Sequence, residues 1–176
     1  MPASDLPALT LVLGGQRSGK SAYAEGLIGG GEGAVYIATC RAEGSDTEMT
    51  ARIERHRAGR PDGWRTIEAP VDMAAALAEA GGATAVLIDS LGMWLTNVMG
   101  DGLDVVDALS GVIDALRGVN APVVVVSEET GLGIIPDNAL ARAFIDTLGD
   151  ANQRIAAVAN RVVFVAAGQA LMMKNQ

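Results

Sequence analysis

The sequence predicts an α/β protein: one domain, with a mostly parallel sheet and helices on both faces. Three observations carry that expectation. Short runs of branched apolar residues alternate with stretches of helical spacing, the pattern of consecutive βαβ units. The first run, Leu9-Thr10-Leu11-Val12-Leu13, leads directly into Gly14-Gly15-Gln16-Arg17-Ser18-Gly19-Lys20-Ser21, which satisfies G-x-x-x-x-G-K-[ST] at every required position. Two later runs, 85–88 and 123–126, are continuously apolar, as strands covered on both faces must be.

Taken in order, residues 1–8 read as a loose N-terminal tail and residues 9–176 as the domain. Ala24, Leu27 and Ile28 fall on one helical face, so the glycine-rich loop sits between a strand and a helix. Gly29-Gly30-Gly31 stops that helix, and residues 34–38 form the next strand, ending at Thr39-Cys40-Arg41. Ser45 and Glu48 have capping-box spacing and start a helix to about residue 58, ended by Gly59 and Pro61-Asp62-Gly63. A short strand at 64–67, a helix at 71–80 and a central strand at 85–88 closed by Asp89 follow. Helices at 91–99 and 105–116 precede the strand 123–126, with Pro122 at its entrance, where a missing N–H does little harm. A long helix spans 138–160, bent or interrupted near Gly149, and residues 161–166 form the last strand.

Composition narrows the function. Of 176 residues, 49% are apolar and 19% charged, which suits a packed core and excludes a disordered chain. A net charge of −8 with 3% aromatic residues argues against a nucleic-acid partner. No apolar run reaches membrane-spanning length, no signal-peptide pattern opens the chain, and the single Cys40 suits a reducing compartment, so a cytoplasmic protein is expected.

The glycines of the loop turn backbone N–H groups inward around an anion, and the following helix adds its positive end. Lys20 then reaches the outer phosphates of a nucleoside triphosphate, and the Ser21 hydroxyl faces Mg²⁺. Asp89, at a strand end, suits the same Mg²⁺; its alternative is a helix N-cap before Leu91. His56, the only histidine, shares a helix side with Met49 and Ile53 inside the basic string Arg52, Arg55, Arg57 and Arg60. An imidazole there can attack phosphorus, its neighbouring guanidiniums binding phosphate oxygens and keeping it neutral. From the pattern alone the plainer reading is favoured, a histidine at a helix C-terminus stabilised by the macrodipole. Glu128 and Glu129 follow a strand, and either suits the deprotonation of an attacking hydroxyl; solvated loop carboxylates fit the spacing equally well. Cys40 reads as a small strand-end residue before a nucleophile, and Trp94, with Met93 and Leu95, as core or interface before a ligand-stacking surface.

These residues together resemble the bifunctional adenosylcobinamide kinase/adenosylcobinamide-phosphate guanylyltransferase family of cobalamin biosynthesis. The resemblance runs from Leu11 to about Lys174. It rests on the loop itself, on Tyr36-Ile37-Ala38-Thr39, and on Glu48-Met49 followed by Arg52-Ile53-Glu54-Arg55-His56-Arg57-Ala58-Gly59-Arg60-Pro61. It continues in Asp89-Ser90-Leu91 with Trp94-Leu95-Thr96-Asn97, in Gly131-Leu132-Gly133-Ile134-Ile135-Pro136, and in Asn152-Gln153-Arg154 and Ala167-Gly168. The loop is generic, whereas the histidine string and the G-x-G-I-[IV]-P stretch are far more specific.

The resemblance implies a P-loop fold of the recombinase type, a homotrimer, and two reactions. ATP or GTP phosphorylates the aminopropanol hydroxyl of adenosylcobinamide. GTP then guanylylates the histidine of the R-I-x-x-H string, here His56, and GMP passes to adenosylcobinamide phosphate, giving adenosylcobinamide-GDP. Nucleotide contacts carried over by position are Gly14 to Ser21, Thr39, Cys40, Arg41, Arg57, Ala58, Gly59, Arg60, Glu68 and Asp89, with Ser21 and Asp89 on the metal. Glu129 aligns with the family's strand-end glutamate and stands with Lys20 and His56 as catalytic. Two positions depart: Glu128 stands where the family usually has an amide, and Gly92 where it often has Thr. The competing readings are a P-loop kinase of small molecules without guanylyl transfer, and a nucleotide-switched binding module.

Overall fold

The computed structural model describes residues 6–41 and 62–176. Within them a seven-stranded sheet has the order β3-β2-β4-β5-β1-β6-β7. Its strands are β1 (Leu9–Gly14), β2 (Val35–Ala38), β3 (Arg65–Glu68), β4 (Val86–Asp89), β5 (Val123–Glu128), β6 (Arg161–Ala166) and β7 (Gln169–Asn175). The helices are α1 (Lys20–Ile28), α2 (Met73–Glu79), α3 (Leu91–Gly100), α4 (Val105–Gly118) and α5 (Ala139–Val158). Strands β1 to β6 pair in parallel, and β7 returns antiparallel to β6 across a tight turn at Ala167 and Gly168.

Alternation along the central strands divides the core in two. Leu9, Leu11, Leu13, Ile37, Ile88, Val123 and Val125 face the larger cluster, beneath α2, α3, α4 and α5. Val12, Tyr36, Leu87, Val124, Val126 and Val163 face the other, where α1 contributes Ala24 and Ile28. Leu6, inside the stretch expected to be a loose tail, is buried in this second cluster. The expected strands and helices among the described residues recur with shifts of a residue or two. The helix expected at 48–58 lies outside the described residues. The 138–160 stretch forms the single helix α5 through Gly149, capped by the Asn138 carboxamide on the Ala141 N–H. β7 is an additional element, not assigned from the sequence: its apolar run Ala170-Leu171-Met172-Met173 is short and lacks β-branched residues, and its side chains stay largely exposed because it is an edge.

Trp94 is core, which settles against its use as an exposed interface or stacking residue: it is 1% exposed, and its indole N–H donates to the Val71 carbonyl at 2.6 Å. Beside it Asn97, also buried, donates to the carbonyls of Thr39 and Pro70 at 2.7 and 2.9 Å, tying α3 to the ends of β2 and β3. Arg41, just past β2, grips Asp101 at the end of α3 through both guanidinium nitrogens, at 2.9 and 2.5 Å. That hydrogen-bonded pairing, helped by charge attraction, holds the Asp101 carboxyl below its ordinary range and raises Arg41 above its own.

Two outcomes follow from this packing. Trp94→Phe removes the bond to Val71 and opens space in the core, lowering stability by about 2–4 kcal/mol; urea unfolding followed by circular dichroism shows a lower midpoint at unchanged slope. The depressed Asp101 carboxyl stabilises the fold above its unfolded value, and that contribution disappears as pH falls through the folded value. The raised Arg41 keeps its charge throughout this window, so Asp101 alone sets it. Asp101→Asn therefore melts below the parent at about pH 7 and together with it at about pH 2; a melting difference that persists in acid would assign the pair no role.

Candidate functional site

Parallel pairing brings the carboxyl ends of β1 to β5 to one edge of the sheet, where open α/β sheets bind ligands. Register sets Gly14 beside Glu128, Asp89 beside Val126, and Ala38 between Asp89 and Glu68. The loop after β1, the segment Thr39-Cys40-Arg41, Glu68, Asp89 and the Glu128-Glu129 pair thus share that edge, as chain order predicts.

The loop is built by close approach. A Cβ on Gly14 would lie 2.5 Å from both the Val165 carbonyl oxygen and Ser18 Oγ, so only glycine fits between β6 and the loop. Gly19, at φ 94°, occupies the left-handed region and opens α1 with no side-chain cap, leaving its first N–H groups directed into the loop. The Ser18 carbonyl accepts from the Gly168 N–H at 2.8 Å, so the β6–β7 turn braces the loop from behind. Ser18 Oγ is buried and has no hydrogen-bond partner among the described residues. Gln16 and Arg17 are exposed at the loop's tip.

Lys20 is 5% exposed, its ammonium donating to the Gly15 carbonyl at 3.3 Å and lying 3.7 Å from Glu128 Oε1. Ser21, half-buried in the first turn of α1, follows it. Asp89 is oriented by the Tyr36 hydroxyl, which donates to Oδ2 at 3.0 Å. The capping alternative for Asp89 goes instead to Ser90, whose Oγ accepts from the Met93 N–H at 3.3 Å. Ser21 and Asp89 offer only oxygen donors, the set that suits a hard divalent cation such as Mg²⁺.

Thr39 is fully buried, its hydroxyl donating to the Ser90 carbonyl and accepting from the Ser90 N–H, each at 2.8 Å. Its side chain thus ties β2 to β4 and is turned away from solvent. Cys40 is half-buried; Arg41 and Glu68 are exposed at the mouth of the edge. Glu129 donates its backbone N–H to the Gly14 carbonyl, but its carboxylate turns into its own loop and accepts from the Gly131 N–H at 2.7 Å. The carboxylate brought to Lys20 is that of Glu128. His56, Arg57, Ala58, Gly59 and Arg60 lie outside the described residues.

Several supporting residues, Ser90 and Asn152 of the quoted strings among them, have roles that the motifs do not specify. Ser127 and Asn152 are buried together, the serine hydroxyl donating to Asn152 Oδ1 at 2.6 Å while Asn152 Nδ2 donates to the Glu128 carbonyl at 3.0 Å. α5 thereby pins the end of β5. Ser90 Oγ donates to Glu128 Oε2 at 3.1 Å. The available sequence signal was polarity at core-facing positions, since buried polar side chains need partners.

The model of the family described as cobinamide kinase / cobinamide phosphate guanyltransferase, CobU, matches residues 10–173, a span that reaches from β1 into β7. The bifunctional adenosylcobalamin biosynthesis protein CobP of Pseudomonas aeruginosa is 40% identical over 170 residues, covering 94% of this chain and 97% of that one. The bifunctional adenosylcobalamin biosynthesis protein CobU of Escherichia coli is 38% identical over 182 residues, covering 94% and 99%. Among solved structures, the RadB recombinase has a TM-score of 0.49 at 15% identity, over 97% of this chain and 83% of that one. With its family model matched along almost its whole length, and relatives of this identity over nearly all of both sequences, the chain belongs to the cobinamide kinase / cobinamide phosphate guanyltransferase family and is a transferase.

Proposed function

We propose that the protein phosphorylates the aminopropanol hydroxyl of adenosylcobinamide with ATP or GTP, then transfers GMP from GTP through His56 to adenosylcobinamide phosphate. The product is adenosylcobinamide-GDP, and the setting is adenosylcobalamin biosynthesis in the cytoplasm. The observation that carries this reading is the buried Lys20 ammonium inside a glycine loop that opens α1, on the same sheet edge as Asp89. That combination suits a triphosphate, because backbone N–H groups and a desolvated cation together offset its charge.

In the first step the loop from Gly14 to Ser21 cradles the phosphates and Lys20 stabilises charge on the transferring group. The substrate hydroxyl oxygen bonds to the terminal phosphorus as the bridging oxygen leaves with the nucleoside diphosphate. In this scheme the hydroxyl proton passes to Glu129, the residue after β5, whose carboxylate must first leave the Gly131 N–H. Ser21 and Asp89 would hold Mg²⁺, which when bound neutralises developing charge on phosphate oxygens. In the second step an imidazole nitrogen of His56 attacks the α-phosphorus of GTP, and pyrophosphate leaves. A phosphate oxygen of the corrinoid then displaces the imidazole, breaking the P–N bond. Arg57 to Arg60, Arg41, Glu68 and Cys40 serve as nucleotide contacts in this scheme, and Thr39 positions Cys40 and Arg41, since its hydroxyl is committed to Ser90, its N–H to the Asp89 carbonyl and its carbonyl to Asn97. Three copies assemble, giving three times the 18.0 kDa chain mass in sedimentation.

Incubation with α-labelled GTP and Mg²⁺, followed by denaturation, leaves label on the protein in an acid-labile, base-stable form. His56→Ala abolishes it; label retained in that variant removes the histidine from the reaction, and an unlabelled parent points to a plain kinase. Lys20→Ala lowers kcat/KM for the phosphate donor by about two to three orders of magnitude, read from initial rates of cobinamide phosphorylation.

A further inference from the structure

We infer that Glu128 is a further positioning residue of the phosphate site. Its carboxylate holds the Lys20 ammonium and must give it up when a triphosphate enters, and the bare backbone at Gly92 is what makes room for that carboxylate. The inference rests on the triphosphate-binding part of the reading above and is independent of the chemistry at His56.

The Lys20 side chain is 6% exposed, and a buried ammonium needs an opposing charge or a full set of acceptors. It has the Gly15 carbonyl at 3.3 Å and Glu128 Oε1 at 3.7 Å. The partner carboxylate is itself held from three directions. Its backbone is fixed beside Gly14 by the β1–β5 register and by Asn152, and its second oxygen accepts from Ser90 Oγ. Gly92 completes the arrangement: a Cβ there would fall 2.1 Å from Glu128 Oε2 and 3.1 Å from Cδ. Any side chain at residue 92 therefore expels the carboxylate, whose flexible end is the part able to move. Glycine is a poor helix residue, yet one stands as the second residue of α3, and this contact supplies its reason.

The positions of Glu128 and Gly92 thus form one unit across two elements. Triphosphate oxygens and the Glu128 carboxylate compete for the same cation. Nucleotide binding in this chain includes the cost of separating Lys20 from Glu128, a term an uncharged side chain at residue 128 would not impose.

The test measures binding of a GTP analogue with a methylene-bridged α–β link by calorimetry, with thermal melts verifying that each variant is folded. Glu128→Gln keeps the acceptor for Ser90 and lowers the dissociation constant about two- to fivefold, the range for a partly exposed ion pair. The same substitution in a Lys20→Met background changes nothing, because the competition is for that ammonium. Equal tightening in both backgrounds would reduce Glu128 to a bulk negative charge, and no tightening in the parent would end the inference. Gly92→Ala tightens binding as Glu128→Gln does and adds nothing on top of it. If Lys20→Met binds too weakly to titrate, this arm decides, and an unchanged Gly92→Ala constant overturns the proposal. Labelling by α-labelled GTP on the same proteins separates the two readings: coupling without label sinks only the guanylyl transfer, and label without coupling sinks only the role of Glu128.

Discussion

The structure depends first on the parallel hydrogen bonding that joins β1 to β5 and β6, and β5 to β4. Backbone pairing of this kind fixes register, and register decides which residues stand side by side at the strand ends. Gly14 is set beside Glu128 and close under the Val165 carbonyl, so the chain turns away at the one residue with no side chain to obstruct it. From that turn the loop can fold over the edge, Lys20 can point back into it, and α1 can start with its N–H groups facing inward. The same ladder puts Asp89 one strand away from Glu128, with Tyr36 on the far side to orient its carboxylate.

Charge placement is the second organising feature. The chain is acidic overall, yet among the described residues its candidate site centres on a desolvated cation, Lys20. Carboxylates around it are distributed among separate partners: Glu128 faces Lys20 and Ser90, Glu129 is turned into its own loop by Gly131, and Asp89 is engaged by Tyr36. Adjacent negative charges at Glu128 and Glu129 look costly in sequence, but β5 ends between them, and the Glu129 carboxylate turns into the following loop onto the Gly131 N–H.

Much of this was legible beforehand for definite reasons. Residues 85–88 and 123–126 are uninterrupted apolar runs, β1 is broken only by Thr10, and runs this short, bounded by turn residues, suit buried parallel strands; the loop is a motif whose every position has a mechanical purpose. The strand-end location of Asp89 and Glu128 followed from chain order alone. What stayed hidden depends on the third dimension. β7 has a four-residue apolar run without β-branched residues, and as an edge strand it is held by one neighbour's backbone while those side chains meet solvent. Which of two consecutive glutamates faces Lys20 is a matter of a single dihedral step at the end of β5. The relation of Gly92 to Glu128 joins residues from different elements, so each looks like an isolated departure until distances are measured. Trp94, ambiguous between core and surface by composition, was decided by a single carbonyl, that of Val71.

The hydrogen bond between the Gly168 N–H and the Ser18 carbonyl gives the C-terminal hairpin a part in holding the glycine-rich loop. Residues at opposite ends of the chain share one peptide-to-peptide contact, which makes the site a closed circuit in which the first strand and the last two are mutually dependent. Trimming the hairpin, or fusing a bulky tag tightly against it, would disturb the backbone of the loop between β1 and α1, although the final stretch lies far from that loop in sequence.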